Sequence, residues 1–280
     1  KQVAFYSILI CLLNAVTIGV TRTDVVKAIF PISAKTYWFA SVYMGLLVLM
    51  PFVSMVAARM TRRQYQYLLG ALTLFLSVNH MIFRVDTYGT FSGRELPWFI
   101  YLTLLAGYVK LHTKEDRRYA WYGFAGYVVS SLAVLASVYL SVKTHQEDIG
   151  YFLNYNSPLA LLGTLALFVC VRNLPWKESK LDGVILKVAG AAFGVYLIHD
   201  NYLIRYLVWD TFRVSKVAKT HWAMIYAVAV AAIVYLACTL LELLRQQLMK
   251  WFAPIWEKTL LYRKEQNLYL KITKRVNDLS

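Results

Sequence analysis

The stretch Gly194-Val195-Tyr196-Leu197-Ile198-His199-Asp200-Asn201 carries an apolar run straight into three polar residues. A His-Asp pair at membrane depth is costly unless it faces protein or water, which makes this pair a candidate site. His199 has the chemistry to take a proton from a hydroxyl near neutral pH. Asp200, one residue on, points about 100° away around a helix, so it reads as a structural or acceptor-binding group rather than half of a dyad. The plainer alternative is that the helix ends here and the pair sits among lipid headgroups.

Polar and aromatic residues gather at other span ends too. Tyr37 and Trp38 open one span, Asn79, His80 and Arg84 close another, Arg94 and Glu95 precede a third, and Tyr155 and Asn156 lead into a fourth. Helical spacing lets His80 and Arg84 share a face. Such a set of amide, imidazole, guanidinium and ring groups suits a polyhydroxylated acceptor. The candidate substrate-binding residues are therefore Tyr37, Trp38, His80, Arg84, Tyr155, Asn156, Asp200 and Asn201, with His199 the candidate catalytic residue. Polar loop mouths are common in membrane proteins, and that reading stands beside the functional one. No phosphate-cradling Gly-rich loop, nucleophile elbow or metal-spaced cluster occurs, so no metal is expected.

The elements that must position these groups are apolar helices. The 280 residues are 59% hydrophobic and 16% charged, with a mean hydropathy of +0.49, unlike a soluble globular domain. Apolar runs of about 18 residues recur and period-two alternation is absent, so the expected fold is all-α, a polytopic integral membrane helical bundle rather than a β-barrel. About eight spans are expected, near 2–20, 37–57, 65–84, 96–112, 119–142, 158–173, 184–203 and 221–246, each matched to a hydrocarbon core about 30 Å thick. They make one transmembrane domain, 1–246. A basic tail, 247–280, follows, in which Leu260, Leu261, Leu268 and Leu270 suggest an amphipathic helix on the inner leaflet.

The net charge of +15 would suit nucleic acid, but the basic residues sit in short loops and in the tail, where they orient the chain and meet anionic lipid. Nucleic acid is therefore not an expected partner. Most Lys and Arg fall on one side if both ends of the chain are cytoplasmic. The loop carrying Arg205, Arg213, Lys216 and Lys219 resists that scheme and reads as interfacial or re-entrant. Arg59, Arg62, Arg63, Lys110, Arg117 and Arg118 fit either a CoA phosphate or the positive-inside rule alone. Trp38, Trp98, Trp121, Trp222 and Trp251 lie near span ends, as an aromatic belt requires. Cys11, Cys170 and Cys238 fall inside spans and read as small apolar fillers.

Tyr37-Trp38-Phe39 running on to Pro51-Phe52, then Tyr155-Asn156-Ser157-Pro158-Leu159, then Phe193 to Asn201, resemble in order three landmarks of the membrane-bound acyltransferase-3 family. The closest flavour is that of bacterial exopolysaccharide and cell-wall O-acetyltransferases. The resemblance implies an inner-membrane enzyme that passes an acyl group, often acetyl, from cytoplasmic acyl-CoA to a hydroxyl of a surface or lipid-linked glycan. Its implied partners are acyl-CoA, a glycan acceptor and membrane lipid. Such proteins have about ten core helices. Eight spans here imply that two N-terminal helices are absent, and with them the Arg and the His regarded as the family's catalytic residue. A non-catalytic substrate-supply module is the alternative that the same resemblance allows. A secondary transporter lacks its expected paired, interrupted segments.

Overall fold

The apolar runs separated by basic loops are helices in the computed structural model, which describes residues 1–145, 150–176, 179–217 and 220–257. In chain order these are α1 (Gln2–Thr17), α2 (Arg22–Ile29), α3 (Trp38–Arg59), α4 (Arg62–Thr73), a π-helical turn (Leu74–Val78), α5 (Asn79–Phe83), α6 (Leu96–His112), α7 (Arg117–Lys143), α8 (Pro158–Arg172), α9 (Asp182–His199), α10 (Arg205–Phe212), α11 (Val214–Val217) and α12 (Ala223–Glu257). No strand occurs among the described residues.

Local chemistry sets several of the boundaries. Thr61 and Gln64 form a reciprocal capping box at the start of α4, which satisfies donors that a helix N-terminus otherwise leaves open. Asp116 accepts from the Arg118 amide at the start of α7. Ser157 accepts from Ala160 N–H ahead of Pro158, the first residue of α8, and proline costs nothing at that position because its missing N–H would be unpaired anyway.

Six helices are long and apolar enough to cross a membrane: Trp38–Arg59, Arg62–Phe83, Arg117–Lys143, Tyr151–Arg172, Asp182–His199 and Ala223–Phe252. The other two expected spans are α1, with 16 residues, and α6, with 17. At 1.5 Å per residue they reach only about 24–26 Å, short of a core about 30 Å thick. Leu132, Leu186, Met224 and Leu240 lie exposed along the long helices. Water would penalise such a surface and lipid would not. This is a membrane protein.

The chain divides into two compact units, Lys1–Ile29 with Ser179–Ser280, and Phe30–Glu178. In the first, α9 packs against α12 and α1, and α1 against α2. The loop after α9, expected to be interfacial or re-entrant, forms the short helices α10 and α11. Past position 246, α12 continues to Glu257; residues 258–280, the rest of the predicted tail, lie outside the described residues.

In the second unit α7 pairs with α8, and α6 with α3 and α4, around a core of Tyr65, Leu69, Leu76, Trp98, Tyr101, Leu104 and Leu161. Trp98 thus belongs to the interior and not to an aromatic belt, whereas Trp121, Trp222 and Trp251 are exposed. All three cysteines are free and buried, as fillers should be.

Candidate functional site

In the second unit, the N-terminal ends of α3, α6 and α8 supply an aromatic mouth. The Trp38 and Tyr155 rings lie 5.9 Å apart, tilted by 34°, with Phe99 edge-on to Trp38 at 6.4 Å. The Arg94 guanidinium sits 5.6 Å from the Tyr155 ring and 6.0 Å from the Trp38 ring, within range of a cation–π attraction. Tyr155 is 53% exposed and Trp38 half-buried, so ring surface remains open. Tyr37 is completely buried; its carbonyl accepts from Ser41 N–H and hydroxyl, which leaves it a part in shaping the mouth rather than facing it.

A tight loop delivers Arg94. Ser92 and Gly93 both have positive φ (59° and 85°), and the Ser92 carbonyl accepts from Tyr155 N–H at 3.1 Å. A Cβ on Gly93 would lie 2.7 Å from both Asn156 N and Tyr155 Cβ, so only glycine satisfies the turn and the close approach together.

Asn156 is completely buried and acts as a strut. Its amide donates to Thr90 Oγ1 at 3.1 Å and to the Leu76 carbonyl at 3.2 Å, while its own carbonyl accepts from Ser77 Oγ at 2.6 Å. Leu76 and Ser77 lie in the π-helical turn, where the i→i−4 ladder is interrupted and groups become available to side chains. Thr90 is held in turn by Asp86, which accepts from its amide and its hydroxyl.

Beyond the π turn, His80 and Arg84 both meet Tyr151, Arg84 from the left-handed residue that ends α5. The His80 ring stacks on Tyr151 at 6.0 Å, Arg84 lies over the same ring at 4.9 Å, and the Tyr151 hydroxyl donates to the His80 carbonyl. His80 Nε2 is buried with no hydrogen-bond partner among the described residues.

In the first unit, α9 ends on His199, which is exposed. Its Nδ1 lies 2.7 Å from the Val195 carbonyl. A carbonyl can only accept, so Nδ1 is the donor in this contact, and in the neutral ring Nε2 is then the acceptor. The tautomer is set by the preceding helical turn and not by Asp200, which pairs with Arg205 at 3.7 Å. The three residues line a cavity of about 380 Å³ whose other wall is the apolar face of α12. Asn201 is buried; its side chain accepts from Leu203 N–H and its carbonyl from Arg205 N–H, folding the chain into α10. Nearby, Asp24 accepts from Thr21 and from the Tyr202 hydroxyl, and the Thr21 bonds, ahead of that from Tyr202, hold its carboxyl down at about 2.

Sequence reasoning missed the most buried charge in this unit. Glu242, inside α12, is completely buried and accepts four bonds: from the Tyr6 hydroxyl (2.6 Å), Arg245 Nε (2.8 Å) and Nη2 (2.7 Å), and Gln246 (2.8 Å). Arg245 also lies over the Phe5 and Tyr6 rings. A Cβ on Gly194 would come within 2.5 Å of Glu242 Oε2, so the glycine that begins the stretch ending in His199 makes room for this carboxylate. The signal is an ionisable residue within the apolar span 221–246.

No group of residues suited to a metal occurs among the described residues. At the other end of the second unit Arg118 pairs with Asp116 and Arg62 reaches the Tyr108 hydroxyl at 3.4 Å, whereas Arg59, Arg63, Lys110 and Arg117 are exposed. Among family models, one described as an acyltransferase domain, that of the acyltransferase 3 family, matches residues 2–242. No curated protein and no solved structure matches the chain.

Proposed function

Because the chain belongs to the acyltransferase 3 family, we propose that it moves an acyl group, acetyl in the first instance, from cytoplasmic acyl-CoA to a hydroxyl of a cell-surface or lipid-linked polysaccharide. The membrane is the bacterial inner membrane, with both ends of this chain cytoplasmic. The observation that carries the acceptor is the open ring pair of Trp38 and Tyr155, since the C–H faces of a sugar pack on aromatic surface while its hydroxyls stay hydrated. Exposed Arg59, Arg63, Lys110 and Arg117 suit the phosphates of the donor.

In the transfer, the acceptor oxygen bonds to the thioester carbonyl carbon, the carbon–sulfur bond breaks, and CoA leaves as a thiolate that takes up a proton. The hydroxyl proton needs a base. His199, whose Nδ1 lies against the Val195 carbonyl, is the residue assigned that role from its chemistry alone. Moving only the acyl group spares the CoA phosphates a passage through hydrocarbon, where each charge would cost several kcal/mol or more.

The test is transfer of radiolabel from acetyl-CoA to oligosaccharide by the purified protein in lipid vesicles. Wild type should label the acceptor, His199→Ala should lose about 100-fold or more in rate, and Trp38→Ala should raise KM for the acceptor with less effect on kcat. Full activity in His199→Ala would remove it as the base. An unchanged acceptor KM in Trp38→Ala would remove the ring platform.

A further inference from the structure

Three of the charged groups at the aromatic mouth and the loop that forms it are already engaged. Lys35 and Glu95 close an ion pair at 2.7 Å, and Asp86 accepts both donors of Thr90. Arg94 has no ion pair among the described residues; its contacts are the two ring faces. It is exposed, so its N–H groups remain available in the plane of the guanidinium, where they match two oxygens of one anion. Neither α3 nor α6 has an acidic residue in its first turn or a side-chain cap. The α3 end, capped by Tyr37, therefore presents an unneutralised positive helix end to the mouth, whereas α6 has Glu95 at its N-cap.

We propose that Arg94 makes this an acidic-saccharide site: Trp38 and Tyr155 take the sugar's C–H face while the guanidinium pairs with a carboxylate or phosphate on the same or the adjoining residue. The inference rests on the ring platform of the proposed function and adds the charge of the acceptor. Arg94 is a specificity determinant and takes no part in the chemistry. Gly93, which lets the loop seat against Asn156 and Tyr155, is the residue that holds it in place.

The experiment is equilibrium binding to wild-type protein in nanodiscs, free of any need for turnover. The probes are oligogalacturonate, its fully methyl-esterified form (the same sugar without charge) and a neutral hexose oligomer with and without a phosphate. Wild type should bind at least one acidic probe about ten-fold more tightly than its neutral match, with the preference falling as salt rises. Arg94→Gln should abolish the preference, and Arg94→Lys should retain part of it. The carboxylate and phosphate arms show which anion is preferred. Equal binding of charged and neutral probes to wild type would overturn the proposal while leaving the platform standing, as would a preference that survives Arg94→Gln. If Trp38→Ala weakens no probe, the platform fails and the proposal falls with it.

Discussion

Glu242 and Arg94 are both charges in a chain built of apolar helices, and the two are handled in opposite ways. Glu242 is fully buried, and four donors from Tyr6, Arg245 and Gln246 occupy its oxygens. Arg94 is exposed, and among the described residues its guanidinium meets two ring faces and no carboxylate. A saturated buried charge has no capacity left for a ligand, and its work is to fix one arrangement of helices. An unsaturated charge at an open ring surface contributes little to that arrangement and retains its capacity. The contrast separates structural ionisable groups from candidate binding groups more sharply than burial or charge alone.

Substitutions should widen the contrast. The largest effect is expected in the first unit: Glu242→Ala strands the Arg245 guanidinium and should cost about 3–5 kcal/mol, visible as a lower unfolding temperature in detergent, with Glu242→Gln costing less. A value within about 1 kcal/mol of wild type, the range of an exposed pair, would end the structural reading. Next, Asn156→Ala removes the amide that bridges the π turn and Thr90 and should cost about 1–3 kcal/mol. Protease should cut the 84–95 loop faster in this variant, and equal cleavage rates would deny Asn156 its role as a strut. Gly93→Ala should cost a similar or smaller amount, about 1–3 kcal/mol from the forced φ and the overlap, and should lose the charge preference of the mouth together with it. Arg94→Gln should leave the unfolding temperature within error, since nothing buried depends on it.

The smallest effect concerns Asp24. Its carboxyl is held down at about 2 by Thr21 and then Tyr202, below the ordinary value near 4. A depressed pKa means stabilisation that is complete above the ordinary value and lost as pH falls toward 2. Tyr202→Phe should therefore raise the Asp24 midpoint in a carboxylate-resolved NMR titration and leave the protein unchanged at pH 7. A midpoint that stays where it was would mean that Thr21 alone sets it.

The helices were legible because hydropathy is a local property. The expected spans near 37–57 and 119–142 fall on α3 and α7, each a long apolar run between basic loops. Side-chain direction was less legible. Trp98 and Trp121 look alike as tryptophans near span ends, yet one packs into a core and the other is 70% exposed, a difference decided by partners distant in sequence. The pairing of Tyr6 with Glu242 spans 236 residues and leaves no local pattern at all. The nearness of His80 to Arg84 followed from spacing, whereas Tyr151 as their common surface did not, because it comes from another segment.

The π-helical turn at Leu74–Val78 amounts to a helix carrying one residue too many. Seen this way, a single-residue deletion there would remove the bulge and leave an unbroken α-helix with both faces in their places. Straightening the turn without a deletion would rotate everything after it by about 100°, turning His80 and Arg84 off Tyr151 while Tyr65 and Leu69 kept their places in the core. The helix thus carries two independent phases in one continuous rod, and Asn156 is the pin at the point where they change over.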